Sequence, residues 1–500
     1  MSNSNDDAPM SKNNNISIRK NAVYNVIKTC VSIVFPLITF PYIYRTLSTV
    51  SYGAFTFSHS ISSYIALLAG LGISNYARRE GARVRENDEA IKKFANEVYT
   101  INLLSTLFAY IVLLTLSFFW AKLETYRLIV LILSLSTLFT TIGTEWINVI
   151  FEDYGYITKR TLACQCLSLI LMFLIVRKPE DVIPYSFVNV SGSVVANSLN
   201  FFYIRKKYGI KPRPVISREI VRHLKPIFVL FMTAVVTVIY INSDVTILGI
   251  LKTETDVAIY GAASKIYSVI KQMINAIAAV TIPRISLYIL KGKKKEIEGI
   301  VGETFEVVSI LIVPAAVGLA LLSKPILMVL SAGKYIDAVL PLIILSVSLV
   351  VSALGNIYVN AILIPHRKEN ITFVLLASSA LVNIVLNILF IPEYGYTFAA
   401  ISTLISEGIV CLFSMIMSGR IIKLSIIRQL LLSVSGGIIV MCCCLLFRNL
   451  FNNNLLIIIC SVISSGAVYL LFLCLIKNNI VYKLLVSKVL VRFRKEKAVK

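Results

Sequence analysis

The sequence predicts an all-α polytopic membrane protein of about 14 transmembrane helices, in two pseudo-symmetric six-helix lobes plus two C-terminal helices, with both termini cytoplasmic. Composition, a series of apolar runs of spanning length and an alternating charge asymmetry carry that prediction. Of 500 residues, 57% are hydrophobic and only 15% are charged, and mean hydropathy is +0.81. A soluble domain carries about 25% charged residues, so nothing left between the runs is polar enough to fold alone in water.

Crossing roughly 30 Å of hydrocarbon takes about 20 apolar residues. Runs of that length, bounded by charge, Pro or Gly, cover 22–44, 54–77, 95–118, 128–150, 157–176, 183–204, 226–249, 257–281, 300–322, 338–362, 371–391, 396–418, 426–447 and 455–476. We number them spans 1 to 14. Net charge is +23, and an excess of that size also suits nucleic-acid binding. Here the basic residues sit in short connectors, so a membrane surface accounts for them and no nucleic-acid partner is expected. With Lys159, Arg160 and Arg428, near the inner edges of spans 5 and 13, counted with the connectors beside them, the tails and even-numbered connectors hold 37 of the 49 Lys and Arg, and the odd-numbered connectors hold 9. Cytoplasmic connectors carry such an excess, and one missed span would scramble the alternation after it. The remaining three, Lys28, Lys265 and Lys271, fall within spans.

Residues 1–18, rich in Ser, Asn and Asp, are expected to form a disordered cytoplasmic tail. Span 1 is too long for a signal peptide and lacks a small-residue cleavage site, so it is expected to be retained. The expected order is then an N-lobe (19–205), a basic cytoplasmic linker (206–225), a C-lobe (226–420), spans 13 and 14 (421–477) and a basic cytoplasmic tail (478–500).

All nine cysteines lie in apolar runs, where a thiol behaves as a small hydrophobe, and no disulfide framework is implied. Cys442, Cys443 and Cys444 are consecutive, so their side chains point about 100° apart on a helix and do not converge on a metal. His59, His223 and His366 form no ligand pair at helical spacing. No metal or cofactor is expected. A Gly-rich nucleotide loop ending in Lys-Ser or Lys-Thr is absent. The outward connectors are short, the longest being about 323–337, which opposes a membrane glycosyltransferase or polymerase with a large outer catalytic loop.

Tyr52-Gly53-Ala54 recurs as Tyr260-Gly261-Ala262, and Ser60 recurs as Ser268 in the same register, an offset of 208. Both copies open an even-numbered span. Six spans separate them, which makes the repeat parallel, about an axis along the membrane normal.

The chain resembles the polysaccharide repeat-unit flippases (the Wzx type, for O-antigen and capsule) of the multidrug/oligosaccharidyl-lipid/polysaccharide exporter superfamily. The carriers are Tyr52-Gly53, Leu71-Gly72 and Arg78-Arg79 in the first half. In the second they are Asp244, Leu248-Gly249, Tyr260, Ala263, Lys265-Ile266 and Pro283-Arg284-Ile285-Ser286, then Gly333-Lys334-Tyr335, Ala338, Asn383, Asn387, Pro392 and Tyr394-Gly395. One departure is Phe398, before Ala399-Ala400, where the family usually has Gly. The resemblance covers about residues 20–420. It implies a non-enzymatic exporter in the cell membrane, taking an isoprenoid (undecaprenyl) diphosphate-linked glycan from the inner to the outer leaflet by alternating access. Membrane lipids, polysaccharide polymerase and glycosyltransferases are the implied partners.

An ionisable group at the bilayer centre costs about 2.5 to 3.5 kcal/mol, so each is a functional candidate. Lys28, Lys271, Lys265 and His59 are the candidate substrate-binding residues, with Lys28 and Lys271 expected to hold the diphosphate because no acid in the spans has an obvious claim on them. Asp244 and Lys265 share a depth and are expected to pair, the alternative being a cavity-lining Lys265. Glu407 and Asp244 are the candidate coupling carboxylates. Glu97, Glu145, Trp146, Glu303 and Glu306, near inner span ends, read as interface anchors. Pro36 and Pro41 admit a bend in span 1. The alternatives are a drug/cation antiporter of the same superfamily, whose cavity should be acidic and aromatic, and a membrane-embedded glycosyltransferase or polymerase.

Overall fold

The computed structural model describes residues 18–279, 282–422 and 427–476, and all regular structure among them is helical. The first half comprises α1 (Ile18–Thr46), α2 (Thr49–Gly70), α3 (Ile73–Val84), α4 (Asp88–Phe119), α5 (Ala121–Glu124), α6 (Arg127–Gly143), α7 (Glu145–Ile150), α8 (Tyr154–Ile175) and α9 (Val182–Lys207). The second comprises α10 (Val221–Leu251), α11 (Glu254–Ala279), α12 (Ile282–Leu290), α13 (Lys294–Leu321), α14 (Ser323–Ser331), α15 (Val339–Ile357), α16 (Glu369–Gly419), α17 (Ile427–Leu450) and α18 (Asn454–Leu475).

The described residues of each of the fourteen predicted runs fall on helix, with four refinements. Span 2 is broken between α2 and α3, where Leu71 and Gly72 both take positive φ. Span 4 is broken at Thr144, and span 10 ends in a π-helical turn over Tyr358–Leu363. Spans 11 and 12 are the two arms of α16, broken at Gly395 (φ 56°, ψ −141°). Hydrogen bonds between Asn387 and Ser402 and between Ser379 and Ser406 tie residues on either side of that break, so the arms run antiparallel. Starts are capped where the sequence supplies an acceptor: Asn87 accepts from the Glu89 and Ala90 amides, and Asn453 from those of Leu455 and Leu456.

Burial is inverted relative to a water-soluble helix. On α4, Leu104, Leu107, Phe108 and Ile111 form an exposed stripe at helical spacing, while Asn102, Ser105 and Thr106 are buried. Apolar side chains outside and hydrogen-bonded polar groups inside are what a hydrocarbon solvent selects. Nine helices among the described residues are long and apolar enough to cross a membrane. The more polar α1, α9 and α11 fall outside that set, and each contributes to the cavity described below.

The repeat elements α2 and α11 pack against each other at the centre, with α4, α6 and α10 around α2 and with α13, α15 and α16 around α11. A Cβ at Gly53 would lie 1.8 Å from the Glu254 carbonyl oxygen, so only glycine lets the two backbones meet there. α1 remains one helix through Pro36 and Pro41, and the Thr39 hydroxyl donates to the Pro36 carbonyl at 3.3 Å.

Candidate functional site: a central cavity

A cavity of about 610 Å³ lies between α1, α2, α8, α9, α10 and α11. Its charged lining residues are Lys265 on α11, Arg160 on α8 and Glu145 on α7. His59 on α2 also lines it, with Phe40, Tyr52, Phe55 and Tyr185 as aromatic wall and amides such as Gln165, Asn189 and Asn242. Lys265 Nζ lies 5.8 Å from the centre of the Phe40 ring, a cation–π contact. Among the described residues no carboxylate pairs with it. Two cations against one acid, among hydroxyls, amides and aromatic faces, suit a ligand that is both anionic and sugar-like.

The predicted site residues divide. Lys265 and His59 line the cavity. Asp244 does not pair with Lys265 as expected. Its carboxylate is buried and accepts from Tyr260 at 2.5 Å, Thr403 at 2.7 Å and Asn387 at 2.6 Å. Neutral donors satisfy it from α11 and both arms of α16. Ser243 and Ser402 extend the network through Asn383.

Lys271 likewise departs from expectation. It is not a free cavity cation, because its Nζ donates to Glu407 Oε1 at 2.5 Å. The acid that claims it is 136 residues away in sequence, on the second arm of α16. The Lys28 side chain lies outside the described residues.

Two acids read as interface anchors prove to be internal. Glu97 is buried, accepting from Arg222 at 2.9 Å and bonded to His223 Nε2 at 2.8 Å, while His223 Nδ1 meets the Tyr76 hydroxyl at 2.5 Å. This knot joins α3 and α4 to the start of α10. Glu145 pairs with Arg160, whose side chain is only 2% exposed. The charge census placed Arg160 in a connector, whereas the structure carries it into the second turn of α8. The amides and hydroxyls of α9 had a visible signal: Asn189, Ser193, Asn197 and Asn200 recur at helical spacing.

At the opposite ends of α4 and α10 the halves are also bridged. Arg45, ending α1, donates to the Val329 carbonyl of α14, and Lys334 donates back to the Arg45 carbonyl at 2.5 Å. Tyr44 and Tyr335 stack obliquely, their ring centres 5.0 Å apart, and Tyr126 donates to Glu254. At the junction of α7 and α8, Asp153 accepts from Lys207 at 2.6 Å, Tyr203 at 2.6 Å and Tyr208 at 2.9 Å. Burial works against its charge, yet these three donors hold its carboxyl below the usual range.

A polar cavity between two halves that meet along α2 and α11, with every regular element among the described residues helical, defines a polytopic helical membrane protein with a central cavity. Comparison with known proteins agrees. The chain belongs to the polysaccharide biosynthesis protein family, whose model matches residues 18–288. It is 22% identical over 371 residues to a protein of Escherichia coli (strain K12) named as an O-antigen transporter, spanning 74% of this chain and 89% of that one. A Haloferax volcanii protein named as a flippase of low-salt glycan biosynthesis is 23% identical over 166 residues, 33% of this chain and 35% of that one. Among solved structures, the lipid II flippase MurJ in an inward closed conformation superposes with a TM-score of 0.74 at 18% identity, covering 92% of this chain and 100% of that one. An inward-facing multidrug resistance transporter of the MATE family gives 0.59 at 16% identity, with 81% and 95% covered. These likenesses establish the fold.

Proposed function

We propose that this protein flips an isoprenoid diphosphate-linked glycan from the inner to the outer leaflet of the cytoplasmic membrane, for surface polysaccharide assembly. In this reading both termini face the cytoplasm, residues 19–205 and 226–420 are the two lobes, and the cavity opens to each leaflet in turn. The observation that carries it is Lys265, a cavity-lining ammonium with no carboxylate pairing with it among the described residues. Lys265 is open to the cavity; an ammonium within a membrane span is costly without a counter-ion, and the diphosphate is the anion it receives. The aromatic and amide lining receives the sugars. The relatives named above are transporters, which supports a non-enzymatic role.

A drug/cation antiporter is less well supported, because it needs an acidic cavity and Glu145 here is paired with Arg160. Of the two coupling candidates, Asp244 is favoured over Glu407, since Lys271 already neutralises the latter. The test is export in cells that lack their own flippase and depend on this one. Replacing Lys265 with Gln should abolish surface glycan with the protein still in the membrane, and Lys265→Arg should retain part of it. Normal export by the Gln variant defeats the proposal.

A further inference from the structure

α1 and α14 bring their C-terminal ends together, at the end of the bundle that faces outward in the orientation proposed above. The last carbonyls of an α-helix have no partner within the helix and carry its partial negative charge. Here each of the two ends is capped by a cation from the other half of the molecule. Arg45, in the last turn of α1, donates from Nη2 to the Val329 carbonyl in the last turn of α14. Lys334, just past α14, donates from Nζ to the Arg45 carbonyl at 2.5 Å and to the Leu47 carbonyl at 3.3 Å. The capping is reciprocal, so these carbonyls keep their donors only while the halves are together.

Local backbone chemistry puts the lysine there. Ala332 (φ 51°) and Gly333 (φ 91°) both take left-handed backbone and end α14. The Lys334 amide then donates to the Ser331 carbonyl at 3.2 Å, and the Tyr335 amide to the Ser331 hydroxyl at 3.2 Å. This turn sends Lys334 toward α1 and Tyr335 inward. Tyr335 is fully buried, its ring centre 5.0 Å from that of Tyr44 and 6.0 Å from that of Tyr52. Tyr52 also lines the cavity, so the three rings close over it where the two cations hold the halves. Gly333-Lys334-Tyr335, one of the motifs that carry the family resemblance, is not itself part of the cavity lining.

We propose that Gly333-Lys334-Tyr335 is the key of an outer gate, in which Lys334 and Arg45 bolt the halves together by capping each other's helix ends and Tyr335 fills the seam beneath them. The inference takes its orientation from the flippase reading and deepens it. Opening to the outer leaflet breaks both caps and withdraws Tyr335 from Tyr44 and Tyr52. Water then solvates the freed ammonium, guanidinium and carbonyls. Arg45 and Lys334 are exposed, so their bonds are exchanged for bonds to water at little cost. A gate that opens in every cycle needs a bolt of that modest strength, whereas a buried pair such as Lys271 and Glu407 holds permanently. Removing either cation takes a contact from the closed state alone and so raises the open population.

The test is amide hydrogen exchange read by mass spectrometry, on the full chain in lipid nanodiscs with no substrate present. Lys334→Gln and Arg45→Gln should each speed exchange across 50–57 and 254–260 by about threefold or more. Those stretches hold the close approach of Gly53 to Glu254, and neither contains a carbonyl that the two cations cap. Lys334→Arg keeps a cation within reach of α1 and should exchange like the wild type. Exchange across 297–308, within α13, should stay at the wild-type rate in every variant. Faster exchange confined to 43–48 and 328–336 would mean only frayed helix ends and would reject the gate. Wild-type rates across 50–57 and 254–260 in both Gln variants, or an equal rise across 297–308, would reject it as well. Because the assay contains no substrate, a rejected gate leaves the flippase reading standing, and that reading fails separately if Lys265→Gln exports normally.

Discussion

Lys271 Nζ donates to Glu407 Oε1 at 2.5 Å, joining α11 to the second arm of α16 within the interior of the bundle. The two side chains are 25% and 7% exposed. Removing one partner of a buried pair leaves the other charge uncompensated, at a cost on the order of 3 kcal/mol, whereas removing both can be close to neutral. Lys271→Met and Glu407→Gln should therefore each lower thermal stability in detergent, and the double variant should recover much of the loss. Additive losses would show that the pair is not coupled.

Asp244 and Tyr260 predict a different outcome. The Tyr260 hydroxyl donates to Asp244 at 2.5 Å, and Thr403 and Asn387 complete the carboxylate's shell. Asp244→Ala strands three buried donors and should destabilise by about 1 to 3 kcal/mol. Tyr260→Phe removes one donor and should cost about 1 kcal/mol. Unfolding midpoints of the two variants in detergent compare these directly; equal losses would mean that the other two donors contribute nothing.

Gly53 allows α2 and α11 to touch. Because a Cβ would sit 1.8 Å from the Glu254 oxygen, Gly53→Ala must push the helices apart. The overpacked contact should cost about 1 to 3 kcal/mol and reduce transport. A fully stable and active alanine variant would show that this approach is dispensable.

Asp153 gives a pH signature. Its folded carboxyl is held below its ordinary range, so its contribution is present above the unfolded value and is lost as pH falls through the lowered folded one. Asp153→Asn should lose stability at neutral pH and show a shallower loss on acidification. Parallel stability curves for variant and wild type would contradict this.

The substrate's own charge sets the drive. A diphosphate-linked glycan carries about two negative charges, so outward movement from a negative interior gains on the order of 4 to 5 kcal/mol per 100 mV. Flipping in proteoliposomes should change with the sign of an imposed potassium-diffusion potential. Transport that ignores that sign but follows a proton or sodium gradient would reject this drive and point to Asp244.

The helices were legible because a span is a local property of about 20 residues, and the described residues of all fourteen runs fall on helix. The breaks were partly legible: Gly395 and Gly72 are typed for positive φ, but Thr144 and Leu71 adopt it without being so. Charge pairing was the least legible feature. Depth along a helix placed Asp244 beside Lys265, yet rotation about the helix and the neighbours from α16 decide what each side chain meets. Lys271 finds Glu407 across 136 residues, and no pattern within either helix announces it. Arg160 was hidden by a boundary: counted with a connector, it lies in the second turn of α8, against Glu145.

The most direct test of the account is flipping itself. Purified protein is reconstituted into liposomes carrying a fluorescent isoprenoid diphosphate oligosaccharide, and the fraction reachable by an impermeant quencher is followed in time. Wild-type protein should move the lipid between leaflets, and Lys265→Gln, equally well reconstituted, should slow it by at least about tenfold, the equivalent of 1.4 kcal/mol. Equal rates for the two proteins, or no movement above protein-free liposomes, would contradict the claim that this cavity carries a lipid-linked anion across the membrane.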